Sequence, residues 1–481
     1  MVKAISKHSE NKWAILALLA LAQFMVILDI AIVNVALPSI SRELNFASND
    51  LQWVITAYTL TFGGFLLLGG RAADLYGRRN IFIGGVAAFT VMSLLCGLAQ
   101  TDTQLIIARA AQGLAAAIMS PAALSIVLAE FKEGKERNTA MGVWAAVASG
   151  GAAAGVLLGG VLTQYLNWRW NFFVNVPVGL GVVVVAYYML PKHIGEEDKK
   201  IRLDLPGAAL ATAGLMSLVY GLSRAPAQGW DSTTVWGFII GGLALLAIFI
   251  WHENRTAQPL MPLGIFKIRN VLGGNLAFLV IACTLFSMFF FLTLYIQTVL
   301  SYSPIKTGVS FLPVTFIIAV VSGIVANLVG KIGYKPPLVL GPLVLAIGLF
   351  TISQTMEVGG DYWHNVFPGL ALSAVGMGLT FVSGTLAATA GVPKHFSGLA
   401  SGVLNTSQQV GGAIGLAILS AVAFSTITSE LTRGSSSAAA QISGFQDGLN
   451  VGIGLALAGV IVVALVVKNQ IVDAKKAMMA G

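Results

Sequence analysis

The feature that most constrains this chain is a series of long apolar segments that follow one another from end to end. Each of fourteen segments is close to the roughly 20 residues that a helix needs to cross a bilayer. They lie at about 13–38, 51–70, 81–100, 104–126, 138–163, 172–190, 204–223, 233–251, 271–299, 306–330, 336–355, 365–390, 397–425 and 447–468. Only 10% of the 481 residues are charged, which excludes an ordinary soluble fold. Continuous apolar runs favour helices over barrel strands, so we predict an all-α polytopic membrane protein with 14 transmembrane helices.

The loops between these segments carry their positive charge unevenly. With the N-terminus inside, 22 of the 28 Lys and Arg residues fall in cytoplasmic segments and five fall in outer loops. Basic residues are retained on the cytoplasmic side of membrane proteins, so we predict that both termini are cytoplasmic. The same bias explains the net charge of +8 without a nucleic acid partner. The first apolar run is too long for the core of a signal peptide.

A short internal repeat divides the chain. Gly70, Asp74, Gly77 and Arg78 recur as Gly323, Asn327, Gly330 and Lys331, each 253 residues later. Chance is an alternative, because the chain has 54 glycines. The repeat is in phase with a 6+2+6 arrangement, in which related halves place a binding site between them. The predicted domains are a six-helix bundle over 1–190, a linker over 191–270 with extra spans at about 204–223 and 233–251, and a six-helix bundle over 271–481.

Two charged residues lie clearly inside predicted spans, Asp29 in the first and Arg109 in the fourth. Each costs roughly 2.5–3.5 kcal/mol on insertion scales, so such residues usually face a polar cavity or each other. Their depths match, which allows an Asp29–Arg109 ion pair. The functional hypothesis is that Asp29 carries a proton, because burial favours a neutral carboxyl group and a nearby arginine favours the charged form. The alternative is a fixed ion pair that joins the two spans.

Three further sets of residues are candidates for helix packing, for gating and for a substrate cavity. Gly151, Gly155 and Gly159 are spaced by four and predict a face for close helix packing. Residues at the end of the second span and in the loop after it, together with a basic residue in a later inner loop, suggest a latch that gates transport. The alternative is that the basic residues only fix the orientation of the chain in the membrane. This set is Gly70, Asp74, Gly77, Arg78, Arg79 and Arg137. Candidates for a substrate cavity are Asn34, Tyr58, Trp144, Phe289, Tyr295, Gln297, Asn405 and Gln408. Lipid contact is the alternative for the aromatic residues, and helix bridging for Asn405 and Gln408.

Nothing in the sequence predicts an enzyme. It has no phosphate-binding Gly-Lys-Ser/Thr loop, no His/Cys metal spacing and no Gly-x-Ser-x-Gly elbow. Cys96 and Cys283 both lie in apolar runs and suggest neither a disulfide nor a metal site. We expect no cofactor and no metal. No loop is long enough for a nucleotide-binding domain, so transport would be driven by a gradient or by the substrate itself.

Several stretches resemble the major facilitator superfamily, and in particular its fourteen-span drug:proton antiporter branch of EmrB/QacA type. They are the stretches 28–38 around Asp29, 70–79, 109–113, 168–177, 259–263 and 405–409. The resemblance covers the whole chain. It implies the major facilitator fold, a bacterial cytoplasmic (inner) membrane location and a monomer. It also implies proton-coupled export of lipophilic or amphipathic compounds by alternating access, with Asp29 and Arg109 in proton coupling and Asp74 and Arg78 in gating.

Two departures from the branch pattern bear on this expectation. Val156 follows Gly155 where the antiporter motif has a proline, which removes a kink point and puts strict antiport in doubt. Spans nine to fourteen contain no acidic residue away from their ends, where Asp447 begins the fourteenth, which argues against divalent cations as cargo. The expected partners are a small amphipathic substrate, protons and the lipid bilayer. The alternatives are a dedicated exporter of one endogenous metabolite or lipid, and a receptor or scaffold that transports nothing.

Overall fold

The computed structural model describes residues 2–47, 50–131, 135–191, 203–392 and 397–471. Within these ranges the chain is helical and contains no strand. The α-helices are α1 (Val2–Leu44), α2 (Trp53–Tyr76), α3 (Arg78–Leu98), α4 (Asp102–Glu130), α5 (Lys135–Tyr165), α6 (Trp170–Phe173), α7 (Asn175–Met189), α8 (Leu205–Gln228), α9 (Thr233–Arg255), α10 (Arg269–Leu294), α11 (Pro304–Ile332), α12 (Lys335–Thr355), α13 (Tyr362–Asn365), α14 (Phe367–Thr389), α15 (Ser397–Thr432) and α16 (Ser437–Val466). A 3-10 helix spans Leu263–Lys267, and a π-helix, Tyr295–Val299, continues α10.

Several helices begin where a short polar side chain can cap them. Thr101 accepts a hydrogen bond from the backbone N–H of Gln104 at the start of α4, and Ser303 accepts one from Lys306 at the start of α11. Asp204 and Ser436 cap α8 and α16 in the same way. The first N–H groups of a helix lack partners within the helix, so these caps fix the residue at which each helix begins.

Thirteen helices within the described residues are long and apolar enough to cross a membrane. They match thirteen of the fourteen predicted segments. The remaining segment, 138–163, lies in the 31-residue helix α5, which is not among the thirteen. The predicted sixth segment comprises two consecutive helices, α6 and α7. Val174 between them keeps α-helical angles (φ −58°, ψ −29°) and donates its N–H to the carbonyl oxygen of Trp170 at 3.0 Å, so the two form one continuous candidate span.

The helices alternate in direction between two ends of the molecule. We call the end where α1 meets α2 the α1–α2 end, and the opposite end, where Gly77 joins α2 to α3, the α2–α3 end. One group of helices packs together through α2 on α4, α1 on α5 and α3 on α4 and α7. A second group packs through α12 on α14 and α16, α10 on α15 and α16, and α11 on α14. The first group comprises α1–α7 and the second comprises α10–α16.

The two groups meet at two seams, α5 with α11 and α2 with α15. At the α1–α2 end of the first seam the backbones nearly touch: a methyl group on Gly160 would lie 2.7 Å from the carbonyl oxygen of Pro304. Nearby, the backbone N–H of Ile305 donates to Gln164. Gln297 of the π-helix donates to the carbonyl oxygen of Val35 on α1 at 2.8 Å. The groups are therefore closed against each other at the α1–α2 end.

The remaining pair, α8 and α9, lies over the second seam, because α8 contacts both α2 and α15. Its polar contacts go to the first group. Arg224 pairs with Asp50 at 3.3 Å, and Trp53 donates to Ser223 at 3.2 Å. At the opposite end Arg71 donates to the carbonyl oxygens of the segment that follows α9, at Gln258 and Pro259. Against α15 the pair presents apolar side chains in a cluster with Ala413 and Ala417.

Candidate functional site

The two charged residues whose matching depths allowed an ion pair do form one in the interior of the first group. Nη1 of Arg109 on α4 lies 2.5 Å from Oδ2 of Asp29 on α1. The side chains are 2% and 0% exposed, so water does not reach the pair in this state. Charges buried to this extent persist only with good geometry and with the remaining donors and acceptors occupied.

Arg109 has further partners beside Asp29. Its Nε donates to the carbonyl oxygen of Val54 at 3.0 Å, and its Nη1 also donates to Gln112 at 2.7 Å. The guanidinium carbon lies 4.3 Å from the centre of the Tyr58 ring and 5.6 Å from that of Phe172. Arginine suits this place because its planar fork can donate several bonds and stack on an aromatic face at once.

The second carboxylate oxygen of Asp29 is held by two side-chain amides. Nε2 of Gln112 lies 2.9 Å from Oδ1, and Nδ2 of Asn175 lies 3.0 Å from the same atom. Both amides are buried. Gln112 and Asn175 lie in the stretches 109–113 and 168–177 that carry the family resemblance, but the sequence did not assign either residue to the site. The available signal was an uncharged polar residue within an apolar run, which also fits many structural roles.

The spacing within 109–113 follows from this geometry. Arg109 and Gln112 are three residues apart and face α1 together. Gly113 faces α2 instead, where a methyl group would lie 2.3 Å from the carbonyl oxygen of Tyr58. The absent side chain lets α2 approach α4 closely, which brings the Tyr58 ring and the Val54 carbonyl against the arginine.

The arrangement is a buried cluster of polar side chains and not an open binding cleft. Cys96 lies 3.5 Å from the Gln112 oxygen, and Ser93 accepts a hydrogen bond from Asn175. The Tyr58 hydroxyl has no hydrogen-bond partner among the described residues. The cluster offers no set of metal ligands: within the described residues no three His, Cys, Asp or Glu side chains cluster.

The predicted packing glycines of α5 lie against α1, on the helix that carries Asp29. A methyl group on Gly155 would lie 2.6 Å from Cβ of Ala31, and one on Gly159 would lie 2.7 Å from the carbonyl oxygen of Ile32. Gly151 faces Ile27 at 3.2 Å. Val156, which replaces the motif proline, turns its carbonyl to Gly308 of α11, and α5 continues through it without interruption.

The predicted gating residues occupy the α2–α3 end. Gly77 has a φ of 89°, which favours glycine, and it makes the sharp turn between the helices. Arg78 pairs with Asp74 at 3.2 Å, one turn earlier. Arg79 donates to the carbonyl oxygens of Tyr187 and Leu190 at the end of α7, where the helix dipole favours a cation.

The remaining members of that set make local contacts. Arg137 donates to the carbonyl oxygens of Phe131 and Leu128. Gly70 lies near Pro121 of α4, where a methyl group would meet ordinary packing at 3.7 Å. These contacts tie α2, α3, α4, α5 and α7 together at one end of the first group.

The predicted cavity residues make different kinds of contact. Tyr58 stacks on Arg109, and Trp144 packs partly buried against the apolar cluster of the first group. Tyr295 is buried and donates to the carbonyl oxygen of Glu357 at 3.0 Å. Gln297 joins the two groups at Val35, as described above.

Four other cavity candidates are more open or locally bonded. Phe289 is partly buried and packs on Phe311, with ring centres 5.3 Å apart. Asn405 is exposed, and Gln408 is half-buried on the same helix. Asn34 donates to the carbonyl oxygen of Ile30, one turn earlier in α1.

Two named relatives cover nearly all of the chain. The puromycin resistance protein pur8 of Streptomyces alboniger is 40% identical over 468 residues, which cover 96% of this chain and 92% of that protein. The cephamycin export protein CmcT of Amycolatopsis lactamdurans is 40% identical over 422 residues, or 87% of this chain and 86% of that protein. Both names describe resistance to, or export of, an antibiotic.

A solved structure shares the fold at low sequence identity. It is that of a bacterial homologue of the human lysosomal transporter Spinster in an inward-facing, unoccupied conformation. Its TM-score is 0.64 at 15% identity, with 98% of this chain and 97% of that chain covered. The expectation of an all-helical transporter fold is confirmed by this match.

The family itself is shown by the sequence. The profile of the Major Facilitator Superfamily matches residues 19–416, which is most of the chain and includes Asp29, Arg109 and both seams. Together with the two relatives, this match excludes an enzyme and identifies the class of protein. The chain belongs to the Major Facilitator Superfamily and is a multi-pass membrane transporter of small molecules.

Proposed function

We propose that this protein exports lipophilic or amphipathic compounds in exchange for protons, by alternating access, as a multidrug efflux transporter. The observation that supports proton coupling is the sealed carboxylate of Asp29, paired with Arg109 and held by Gln112 and Asn175. An ionisable group costs free energy in a membrane interior, so its presence favours a functional role. Export is supported by the names of the relatives.

The neighbours of Arg109 allow Asp29 to become neutral without stranding the arginine. After protonation, Arg109 keeps its bonds to the Val54 carbonyl and the Gln112 oxygen and stays over the Tyr58 ring. The free-energy cost of leaving a buried cation alone, several kcal/mol for an isolated ion, is thereby reduced. The pair can then loosen with the proton on Asp29, which is what a coupled exchanger requires when its buried cluster opens.

The proposed topology follows the charge bias of the loops. We infer that α5 is also a span, which makes fourteen in a 6+2+6 arrangement within the EmrB/QacA branch. The α2–α3 end then faces the cytoplasm, as do both termini, in a bacterial cytoplasmic membrane. On this assignment the contacts between Gly160 and Pro304 close the transporter to the outside. The protein would work as a monomer.

A dedicated exporter of one compound is the second candidate. It is favoured by relatives named for single antibiotics, including a tetracenomycin C resistance and export protein of Streptomyces glaucescens, which is 34% identical over 411 residues. Against it stands a multidrug resistance protein, Stp of Mycobacterium tuberculosis (strain ATCC 25618 / H37Rv), which is 35% identical over 418 residues. The number of different compounds that the protein transports distinguishes a multidrug exporter from a dedicated one.

The test uses everted membrane vesicles that hold an inside-acid pH gradient. Puromycin, ethidium and a panel of neutral and zwitterionic amphiphiles are added in turn, and the gradient is followed with a pH-sensitive dye. We expect several compounds to dissipate the gradient in wild-type vesicles and none to do so with Asp29→Asn. A response to a single compound would favour the dedicated exporter.

The control is the amount of folded Asp29→Asn protein in the membrane, measured by fluorescence-detected size-exclusion chromatography of the tagged protein. If Asp29→Asn is folded and still couples substrate to protons, the proposed role of Asp29 is wrong. Substrate accumulation without any change in the pH gradient would instead indicate a uniporter.

A further inference from the structure

We propose that Asn175 is a positioning residue that holds Asp29 in its charged form by donating an amide N–H to the carboxylate. This inference rests on the proposed proton-carrying role of Asp29. Asn175 is the first residue of α7, directly after Val174. It is 1% exposed, and its Nδ2 lies 3.0 Å from Oδ1 of Asp29.

The orientation of Asn175 is set by a second, independent contact. The same Nδ2 lies 3.1 Å from Oγ of Ser93 on α3. Ser93 in turn donates its hydroxyl proton to the carbonyl oxygen of Phe172 at 2.9 Å. That donation leaves the lone pairs of Ser93 for Asn175, so both N–H groups of the amide have acceptors. The nitrogen, and not the oxygen, is therefore turned to Asp29.

The charged and titratable groups around Asp29 are few. Arg109 on α4, Tyr58 on α2 and Cys96 on α3 face it or its partners. The stretches of α5, α7 and α10 at 138–164, 175–186 and 284–294 contain no titratable side chain, and α6 has none. On α10, Cys283 lies against Gly415, and on α11 Lys306 lies over the Tyr302 ring at the end of its helix.

Each donor to a carboxylate favours the charged form, so its removal favours proton binding. Gln112 is a poor place to test this, because it also accepts a bond from Arg109. The side-chain amide of Asn175 donates to Asp29 and to Ser93, and neither bond involves Arg109. Asn175→Leu removes the donor and keeps a side chain of similar size. A hydrogen bond to a charged group is large enough to move proton binding by about one to two pH units.

The experiment titrates Asp29 directly by infrared spectroscopy of the full-length protein in lipid. The carboxyl C=O band of Asp29 is identified as the one that Asp29→Asn removes. Its intensity is then followed against pH in wild type and in Asn175→Leu. We expect the midpoint of Asn175→Leu to lie about one to two pH units higher than that of wild type. An unchanged midpoint, or no titrating Asp29 band in either protein, would overturn the proposal.

Two further variants separate positioning from general damage. Asn171→Leu is the matched control, because Asn171 is also a buried asparagine of the 168–177 stretch but donates to Thr163. Its midpoint should equal that of wild type even if its thermal stability falls. Ser93→Ala removes the anchor of Asn175 with little change in size, and we expect a smaller shift in the same direction. If Asn175→Leu does not fold, the absence of a shift in Ser93→Ala would refute the role.

The vesicle assay distinguishes this inference from the proposed function. If the Asp29 band shifts in Asn175→Leu but no compound dissipates the pH gradient, the role of Asn175 stands and proton-coupled export fails. The opposite outcome is coupled transport in wild type together with an unchanged transport pH profile and an unchanged Asp29 band midpoint in Asn175→Leu. In that case proton-coupled export stands and the role of Asn175 fails.

Discussion

Gly63 and Gly64 are consecutive residues of α2 that face two different helices across closely packed contacts. A methyl group on Gly63 would lie 2.8 Å from Cβ of Gln409 on α15, whereas one on Gly64 would lie 3.2 Å from Cβ of Thr212 on α8. The first contact joins the two helix groups, and the second joins α8 to the first group. If transport follows the proposed alternating access, the first contact should change during the cycle and the second need not, so these neighbours offer a direct comparison.

A cross-link at the first contact should stop transport. In Gly63→Cys/Gln409→Cys the Cβ atoms would lie 2.8 Å apart, which is closer than the roughly 3.5–4.5 Å found in disulfides. A small separation of α2 from α15 therefore brings them into range, and mild oxidation should join the two helices. Alternating access needs the groups to rock against each other, and the bond would prevent it. We expect oxidised protein to lose transport and reduced protein to regain it. Full activity of the fully cross-linked protein would contradict this.

A cross-link at the second contact should be tolerated. The polar contacts described for α8 and α9 go to the first group, through Arg224 with Asp50, Trp53 with Ser223 and Arg71 with Pro259. Against α15 the contact is apolar. We therefore expect Gly64→Cys/Thr212→Cys to transport equally well oxidised and reduced. The native thiols, Cys96 and Cys283, are buried and should not interfere. Inhibition on oxidation would show that α8 moves relative to α2.

Adding one methyl group at Gly160 should disfavour the state closed at the α1–α2 end. The methyl would lie 2.7 Å from the carbonyl oxygen of Pro304 and 2.8 Å from Cα of Ile305, both backbone atoms that cannot turn away. Overpacking costs about 1–3 kcal/mol, which would lower the population of this state roughly 5- to 150-fold. We expect Gly160→Ala to transport poorly, as measured by the initial rate of substrate efflux.

The matched control for that variant is Gly181→Ala on α7. Nothing lies within 4 Å of a methyl group placed there, so the same substitution meets open space. It should leave the efflux rate close to that of wild type and should not lower thermal stability. Equal loss of transport in both variants would point to helix propensity and not to the α5–α11 contact.

Removing the hydroxyl of Tyr58 should do little harm. The hydroxyl has no hydrogen-bond partner among the described residues, and burying an unpaired polar group costs about 1–3 kcal/mol. Tyr58→Phe keeps the ring over Arg109, so we expect unchanged transport and equal or higher thermal stability. Tyr58→Leu loses the cation–π contact and should be less stable by roughly 0.5–2 kcal/mol. Loss of transport in Tyr58→Phe would mean that the hydroxyl contacts substrate or solvent in another state.

Asp29 and Arg109 were singled out from the sequence because charge is rare and costly in an apolar run, and their depths allowed an ion pair. The structure brings the two together across 80 residues of chain. Gln112 and Asn175 were not assigned to the site, although they bind the same carboxylate. A neutral amide costs much less to bury than a charge, so its presence in an apolar segment carries a weaker signal. Which amide turns to Asp29 depends on how α4 and α7 are rotated about their axes.

The glycines of α5 illustrate the same limit. Their spacing predicted one face for close packing, and Gly151, Gly155 and Gly159 share such a face. The spacing could not name the partner, which is α1. Gly160, one residue later, points to α11 and was not included in the predicted set.

The sequence by itself determined the class of this protein: a helical, multi-pass transporter with its rare charges at Asp29 and Arg109. Hydropathy, capping and charge bias act within a single segment, so they can be read along the chain. Only the tertiary structure decided that α8 lies over the seam between α2 and α15, and that Asn175 reaches Asp29 from α7. Those contacts depend on the approach and rotation of helices far apart in sequence, and apolar side chains in a bilayer favour many such pairings almost equally.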